Sequence, residues 1–205
     1  MFDRTLSIYS CGKTFSATGW KVGWVITSSA LARCLLAGQQ YSIFCVPLPL
    51  QDAVATALVT ASQPFQGYDS YYSWLRSMYQ TKRDVLLNSL EQSGHRVLRP
   101  QGSFFILANF SGVPFPNQPL AELDELVSAG QLDQDPTTRT SQDYNYCRWL
   151  TVTRGVTAIP PSSFYCPEHK LMANSFARFA FCKGDPQLQE AGRRLCQPHD
   201  KFETQ

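Results

Sequence analysis

The chain has 205 residues, of which 43% are hydrophobic, 13% aromatic and 17% charged, and its formal net charge is +2. This composition is typical of a folded globular protein and excludes an intrinsically disordered chain. The small net charge gives no electrostatic reason to expect a nucleic acid or a membrane surface as a partner, and no apolar segment is long enough to span a bilayer.

The first sixty residues are predicted to hold two short strands followed by two helices. The strands are expected at 5–10 and 23–26, where short apolar runs are bounded by glycine. A helix is expected to begin near Ser28 and to run through Leu36, because its apolar residues recur near the helical period. A second helix, rich in alanine and valine, is expected at 52–61 and is predicted to be buried.

The remainder of the chain alternates helices and strands, which favours α/β or α+β layers. A long helix is predicted at 69–92, with one broad apolar face, and Gly94 is expected to end it. The other predicted elements are strands at 96–98 and 104–109, a helix at 120–129, a polar loop at 133–142, a helix at 143–153, strands at 156–159 and 177–182, and a helix at 186–196.

The cysteines give no metal motif. Their number is odd, their spacing is wide, and no two form a CxxC pair, so we expect neither a zinc site nor a redox pair. Reduced thiols indicate an intracellular compartment, and we expect the cytoplasm, with the mitochondrion as the alternative. The cysteines are Cys11, Cys34, Cys45, Cys147, Cys166, Cys182 and Cys196, and the histidines, expected to be structural or on the surface, are His95, His169 and His199.

Residues 10–24 read SCGKTFSATGWKVGW and hold the densest motif of the chain. Gly12, Lys13 and Thr14 match the end of a Walker A loop, but that motif needs a glycine where Ser7 stands, so a nucleotide-binding loop is rejected. A lysine in a turn is usually only solvated, which is the alternative to a chemical role for Lys13.

Arg178 lies alone among apolar residues in the segment 176–181, which reads FARFAF. A guanidinium in such surroundings needs an anionic partner, and its planar fork matches a carboxylate. A structural salt bridge and an exposed face of an edge strand are the alternatives.

Together with 40–47 (QYSIFCVP), 102–105 (GSFF) and 156–165 (VTAIPPSSFY), these two segments resemble the kynurenine aminotransferase and cysteine-conjugate β-lyase family of fold-type I, class I/II enzymes. Members of that family use pyridoxal 5′-phosphate (PLP). The resemblance implies that Lys13 carries PLP as a Schiff base, that Ser10 and Lys21 hold its phosphate, and that Arg178 binds the substrate α-carboxylate.

The same resemblance implies a homodimer acting on a small amino acid and a 2-oxo acid. It matches Phe44 to an aromatic residue that lines the substrate pocket of the neighbouring subunit, whereas a core aromatic is the alternative for Phe44. Cys45 stands where similar sequences have a histidine, which leaves the preferred amino donor open at this point.

The resemblance extends from about Arg4 to Leu195. It implies an α/β fold, the C-terminal part of a fold-type I PLP-dependent transferase, with a large-domain remnant at 1–62 and a small α/β domain at 63–205. The N-terminal portion of the family, which supplies about half of the catalytic site, has no match here. Two hypotheses therefore stand: a PLP-dependent transaminase that is inactive as this chain alone, and a non-catalytic assembly module that lacks the cofactor.

Overall fold

The computed structural model describes residues 1–115 and 141–197, and the chain divides into two compact units, Met1–Leu75 and Arg76–Gln205. The predicted helix at 120–129 and nearly all of the predicted loop at 133–142 lie outside the described residues. The domains predicted at 1–62 and 63–205 are defined by resemblance rather than by compactness, and they stay a prediction. In the part of the chain that the structure describes, no helix combines the length and apolarity that crossing a membrane requires.

The first unit contains an antiparallel ribbon of two strands. Strands β1 (Ser7–Ser10) and β2 (Gly23–Ile26) pair from Ser7 opposite Ile26 to Ser10 opposite Gly23. Between them lies the four-residue helix α1 (Cys11–Thr14), and after them come helices α2 (Ser29–Ser42) and α3 (Leu48–Thr60). The buried core of this unit is small and consists of Cys11, Val22 and Val54.

The second unit is built on an antiparallel three-stranded sheet. Its strands β3 (Arg96–Leu98), β4 (Phe105–Asn109) and β5 (Phe176–Ala180) lie in the order β3-β4-β5. Helices α4 (Tyr71–Gln92), α5 (Gln142–Arg154) and α6 (Asp185–Leu195) supply the other apolar faces of its core. The buried side chains include Leu86, Leu87, Leu90, Ile106, Phe110, Tyr146, Trp149, Leu150, Phe179, Phe181, Leu188 and Leu195.

One predicted strand is absent, and one predicted helix begins earlier than expected. The strand predicted at 156–159 is absent, and only Ile159 pairs, in an isolated bridge with Arg178, because Pro160 and Pro161 lead the chain into a 3-10 turn. The helix predicted at 52–61 is present but begins earlier, at Leu48. The prediction that it is buried is wrong, because Val54 is the one buried residue within its bounds. A proline at the second position of α3 is compatible with a helix start, because the first turn needs no amide donor there.

A buried histidine ties the end of α4 to α5. After Gly94 turns with a φ of +90°, the His95 ring meets the Tyr146 hydroxyl at 2.6 Å and the Ser93 hydroxyl at 2.9 Å. The Ser93 hydroxyl donates to the Leu90 carbonyl, so its oxygen is left to accept from Nδ1–H of His95. Nε2 then accepts from Tyr146, which fixes a neutral imidazole in this site.

Lowering the pH should destabilise this unit through His95. Burial, assisted by the nearby Arg154 charge, lowers the pKa of His95 from its usual 6.5 to about 4. Between these values the unfolded chain binds a proton that the folded chain does not, so stability falls as the pH drops from 6.5 towards 4, by at most about 3 kcal/mol. Urea unfolding across this range should show a weaker pH dependence in His95→Gln. The exposed His169→Gln is the matched control, and equal flattening in both variants would contradict the assignment.

Candidate active site

Ser10 and Lys13 are positioned by the short helix that follows β1. Ser10 is the N-cap of α1, and its Oγ accepts a hydrogen bond from the Gly12 amide at 3.2 Å. Because the oxygen is engaged as an acceptor, the hydroxyl hydrogen can be donated to an outside acceptor. Lys13 lies in the same turn with its side chain exposed.

The loop between β1 and β2, which carries Lys13, is closed at its base by the carbonyl group of Val22. Val22 O accepts hydrogen bonds from both the amide and the thiol of Cys11, each at 3.2 Å. Next to it, Gly23 pairs with Ser10, and a Cβ on Gly23 would meet the Tyr9 carbonyl oxygen at 2.7 Å, so this position requires glycine.

Lys21 reaches the same end of the ribbon in an unusual conformation. It lies two residues before Gly23 and is exposed, and its φ and ψ of 56° and 34° place it in the left-handed region. That conformation costs a non-glycine residue roughly 1 kcal/mol, and such strain is concentrated at functional sites.

An aromatic cluster braces the turn that carries Lys13. The Tyr71 hydroxyl donates to the carbonyl oxygen of Thr14 at 2.8 Å, and the neighbouring Phe15 ring stacks on Tyr71 with centroids 5.7 Å apart. Tyr72 lies 6.4 Å from the same Phe15 ring. Sequence analysis missed Tyr71, because only the folded chain brings it to a carbonyl 57 positions away.

Phe44 is on the surface of the first unit. Its side chain is 77% exposed and its backbone has a φ of +62°, directly after the residue that caps α2. The alternative of a core aromatic is therefore wrong for this structure. A bulky residue held at positive φ is an outlier, and the adjoining Cys45 is exposed as well.

Two aromatic rings contact the Arg178 guanidinium. Its Cζ lies 4.2 Å from the Phe105 ring centroid and 4.4 Å from that of Phe164. The side chain is half-buried, Nε is buried without a hydrogen-bond partner, and no ion pair found within the described residues includes it. The structural salt bridge proposed as an alternative is thus not formed among these residues. A stacked guanidinium with an unsatisfied donor is suited to an external carboxylate.

Phe164 is held in place by a buried carboxylate that sequence analysis also missed. Asp143, fully buried at the start of α5, accepts hydrogen bonds from the Ser162 amide at 2.8 Å and the Ser162 hydroxyl at 3.1 Å. Ser162 belongs to the turn Pro161–Phe164, so Asp143 fixes the turn that carries the ring onto Arg178.

Removing this carboxylate should loosen the Phe164 contact. In Asp143→Ala, the amide and hydroxyl of Ser162 lose their acceptor, which should cost about 2 kcal/mol of unfolding free energy. The Arg178 Nε–Hε resonance should also move, since ring currents act on it through Phe164. Urea unfolding and nitrogen-15 NMR measure the two effects. Asp185→Ala, which removes an exposed acid paired with Lys82, is the control and should cost less than about 1 kcal/mol.

The predicted site residues fall into both units. Ser10, Lys13, Lys21 and Phe44 belong to Met1–Leu75, whereas Arg178 belongs to Arg76–Gln205. Within the first unit, the ribbon brings Ser10 and Lys21 to the same end of the structure, and Lys13 lies on the loop between them.

The family model described as aminotransferase class I and II matches residues 2–195. Among curated relatives, the kynurenine--oxoglutarate transaminase of Dictyostelium discoideum is 43% identical over 201 residues, covering 95% of this chain and 42% of that protein. Mouse kynurenine--oxoglutarate transaminase 1 is 36% identical over 196 residues, covering 96% of this chain and 43% of that protein. The chain thus spans about two fifths of the length of these relatives.

Solved structures likewise match nearly all of this chain but less than half of their own length. Bna3p of Saccharomyces cerevisiae superposes with a TM-score of 0.78 at 31% identity, covering 95% of this chain and 42% of that one. N-Succinyldiaminopimelate aminotransferase from Mycobacterium tuberculosis gives a TM-score of 0.72 at 31% identity, covering 96% of this chain and 42% of that one.

Proposed function

Because the chain belongs to the class I and II aminotransferase family, we propose that it supplies the cofactor lysine and the carboxylate-binding arginine of a PLP-dependent aminotransferase. The reaction transfers an amino group from an amino acid to a 2-oxo acid. The contact of Arg178 with two rings, with its buried Nε unsatisfied, is the observation that carries this proposal.

The residues on the loop between β1 and β2 suit the proposed cofactor. A phosphate dianion needs hydrogen-bond donors and positive charge, and the Ser10 hydroxyl and the Lys21 ammonium provide both at one end of the ribbon. Lys13 provides the amine that a cofactor aldehyde requires. This donor set fits PLP, which would supply an electron sink for the substrate α-carbon when bound.

In this proposal Lys13 has two tasks. Its Nζ attaches the cofactor in the resting enzyme and carries a proton at the substrate α-carbon during transfer. The hydrogen bond from Tyr71 to the Thr14 carbonyl fixes the turn from which Lys13 extends, so Tyr71 is a positioning residue.

Arg178 binds the group that both substrates share. Amino acids and 2-oxo acids each carry a carboxylate next to the reacting carbon, and a guanidinium can bind it through two parallel hydrogen bonds. The Phe105 and Phe164 rings restrict the rotation of the guanidinium, which lowers the entropy that binding would otherwise cost.

The names of the relatives indicate the substrate class. We propose an amino acid such as kynurenine or glutamine as donor and a 2-oxo acid such as oxoglutarate as acceptor, since the names of these relatives include kynurenine and oxoglutarate. The resemblance to the cysteine-conjugate β-lyase family suggests β-elimination of cysteine conjugates as a side activity. Phe44, exposed at the end of α2, would line the pocket of a second subunit in a homodimer.

A second candidate function is a non-catalytic module that assembles with another polypeptide. The observation that favours it is the apolar surface of the first unit, where Ile8 is 75% exposed, Ile26 50% and Leu36 67%. A groove of about 620 Å³ lies beside this surface and is lined by Trp24 and Leu35 among others. Apolar surface of this kind is typical of a site at which another polypeptide binds.

The two functions differ in where PLP attaches. PLP added to the purified full chain should give the visible absorption band of a lysine adduct, and borohydride reduction followed by peptide mass spectrometry should place the label on Lys13. Lys13→Arg should abolish the band, whereas Lys82→Arg, which changes a lysine of the second unit, should leave it unchanged. The absence of a band, or label spread over several lysines, would instead favour the module.

Carboxylate binding provides a separate test that does not need the cofactor. Titrating the chain with 2-oxoglutarate should shift the Arg178 Nε–Hε resonance, and Arg178→Lys should weaken binding by about tenfold, because the paired hydrogen bonds are lost. Arg148→Lys is the matched control, since Arg148 also stacks on a ring, that of Tyr144, and has a buried nitrogen without a partner. Equal weakening in the two variants would argue against a site at Arg178.

A further inference from the structure

A cluster of three metal-binding side chains lies outside the site described above. We propose that Cys166, Glu168 and His169 bind a divalent transition-metal cation, of which Zn²⁺ fits the donor set best. The Sγ, carboxylate oxygen and imidazole nitrogen that would ligate the metal all lie within 4.8 Å of one another, and all three side chains are exposed. They come from four consecutive residues at the start of the 3-10 segment Pro167–Ala173.

The present contacts show that these atoms already converge on one point. The thiol of Cys166 and Nδ1 of His169 are 2.9 Å apart. A carboxylate oxygen of Glu168 lies within 4.8 Å of both of these atoms. A hydrogen-bonded proton thus occupies the space between ligands that a metal would take.

Zinc would require only a small adjustment. Zn–S and Zn–N bonds of about 2.3 and 2.0 Å at a tetrahedral angle put sulfur and nitrogen about 3.5 Å apart. The observed 2.9 Å must therefore open by roughly 0.6 Å. Exposed side chains on a short segment can make this movement by small rotations, without disturbing a packed core.

The ligand types select among cations. A thiolate and an imidazole are poor ligands for Ca²⁺ and Mg²⁺, which prefer oxygen, but they suit Zn²⁺ and its neighbours in the transition series. The thiolate and the Glu168 carboxylate would together neutralise the two charges of the ion. Solvent would take the fourth position, since the cluster is on the surface.

The test uses the full chain after removal of metal with a chelator. Competition with a chromogenic zinc indicator gives the Zn²⁺ affinity, and Co²⁺ substitution reports a thiolate ligand through a near-ultraviolet charge-transfer band. Cys166→Ser and His169→Gln should each weaken Zn²⁺ binding by at least about tenfold, since losing even a residue behind a ligand costs that much. Cys166→Ser should also abolish the cobalt band, whereas Cys182→Ser, which changes an exposed cysteine outside the cluster, should not.

Two results would overturn the proposal. Unchanged affinity in Cys166→Ser and His169→Gln would mean that zinc binds other thiols of the chain, and a parent chain that fails to compete with the indicator would mean that no site exists. None of these measurements involves PLP or a substrate, so their outcome is independent of the proposed aminotransferase function.

Discussion

The register between β4 and β5 decides what the second unit can do. Pairing Ile106 with Phe179 places both in the core, and the next pair, Leu107 with Arg178, therefore lies on the opposite face. Because side chains alternate along a strand, a slip of one residue would push the guanidinium into the core, where an unpaired charge is very costly. The same register makes Phe105 a diagonal neighbour of Arg178, so one set of backbone hydrogen bonds specifies both the core and the ring contact of this arginine.

The first unit depends on a different constraint, namely the hydrogen bonds that close the loop between β1 and β2. The Val22 carbonyl oxygen accepts two hydrogen bonds from Cys11, and the chain between them carries Lys13. Closing the loop brings Ser10 and Lys21 to one end of the ribbon and forces Lys21 into a left-handed conformation. The packed core here is small, so hydrogen bonds and the aromatic contacts of Tyr71 hold this turn more than burial does.

Much of the fold could be predicted from local pattern. The bounds of β2 and β3 are confirmed, and α4 ends at Gln92 with Gly94 turning the chain, because strand alternation, helical period and glycine conformation are local properties. The segment 156–159 was wrongly predicted to be a strand, because its apolar residues pack on the core without pairing along a neighbouring strand. The start of α3 was predicted four residues too late, because Pro47 and Pro49 lie just before and within its first turn.

Site residues could be predicted from the sequence only where a residue type is unusual for its surroundings or where a motif is recognisable. Arg178 stands out as a charge within an apolar strand, and the segment around Lys13 has a recognisable motif. Asp143 and Phe164 act through contacts between positions far apart in the sequence, which no local pattern reveals. The cluster at Cys166 could not be predicted, because its three proposed metal ligands lie within four residues and match no CxxC pair.

We propose two separate roles, the attachment of the cofactor to Lys13 and the binding of a substrate carboxylate by Arg178. A crystal structure of the chain soaked with PLP and 2-oxoglutarate tests them most directly. We expect electron density continuous with Nζ of Lys13, a phosphate on Ser10 and Lys21, and a carboxylate on Arg178. Density on other lysines, or an Arg178 that binds an internal acid in place of the added carboxylate, would contradict these roles.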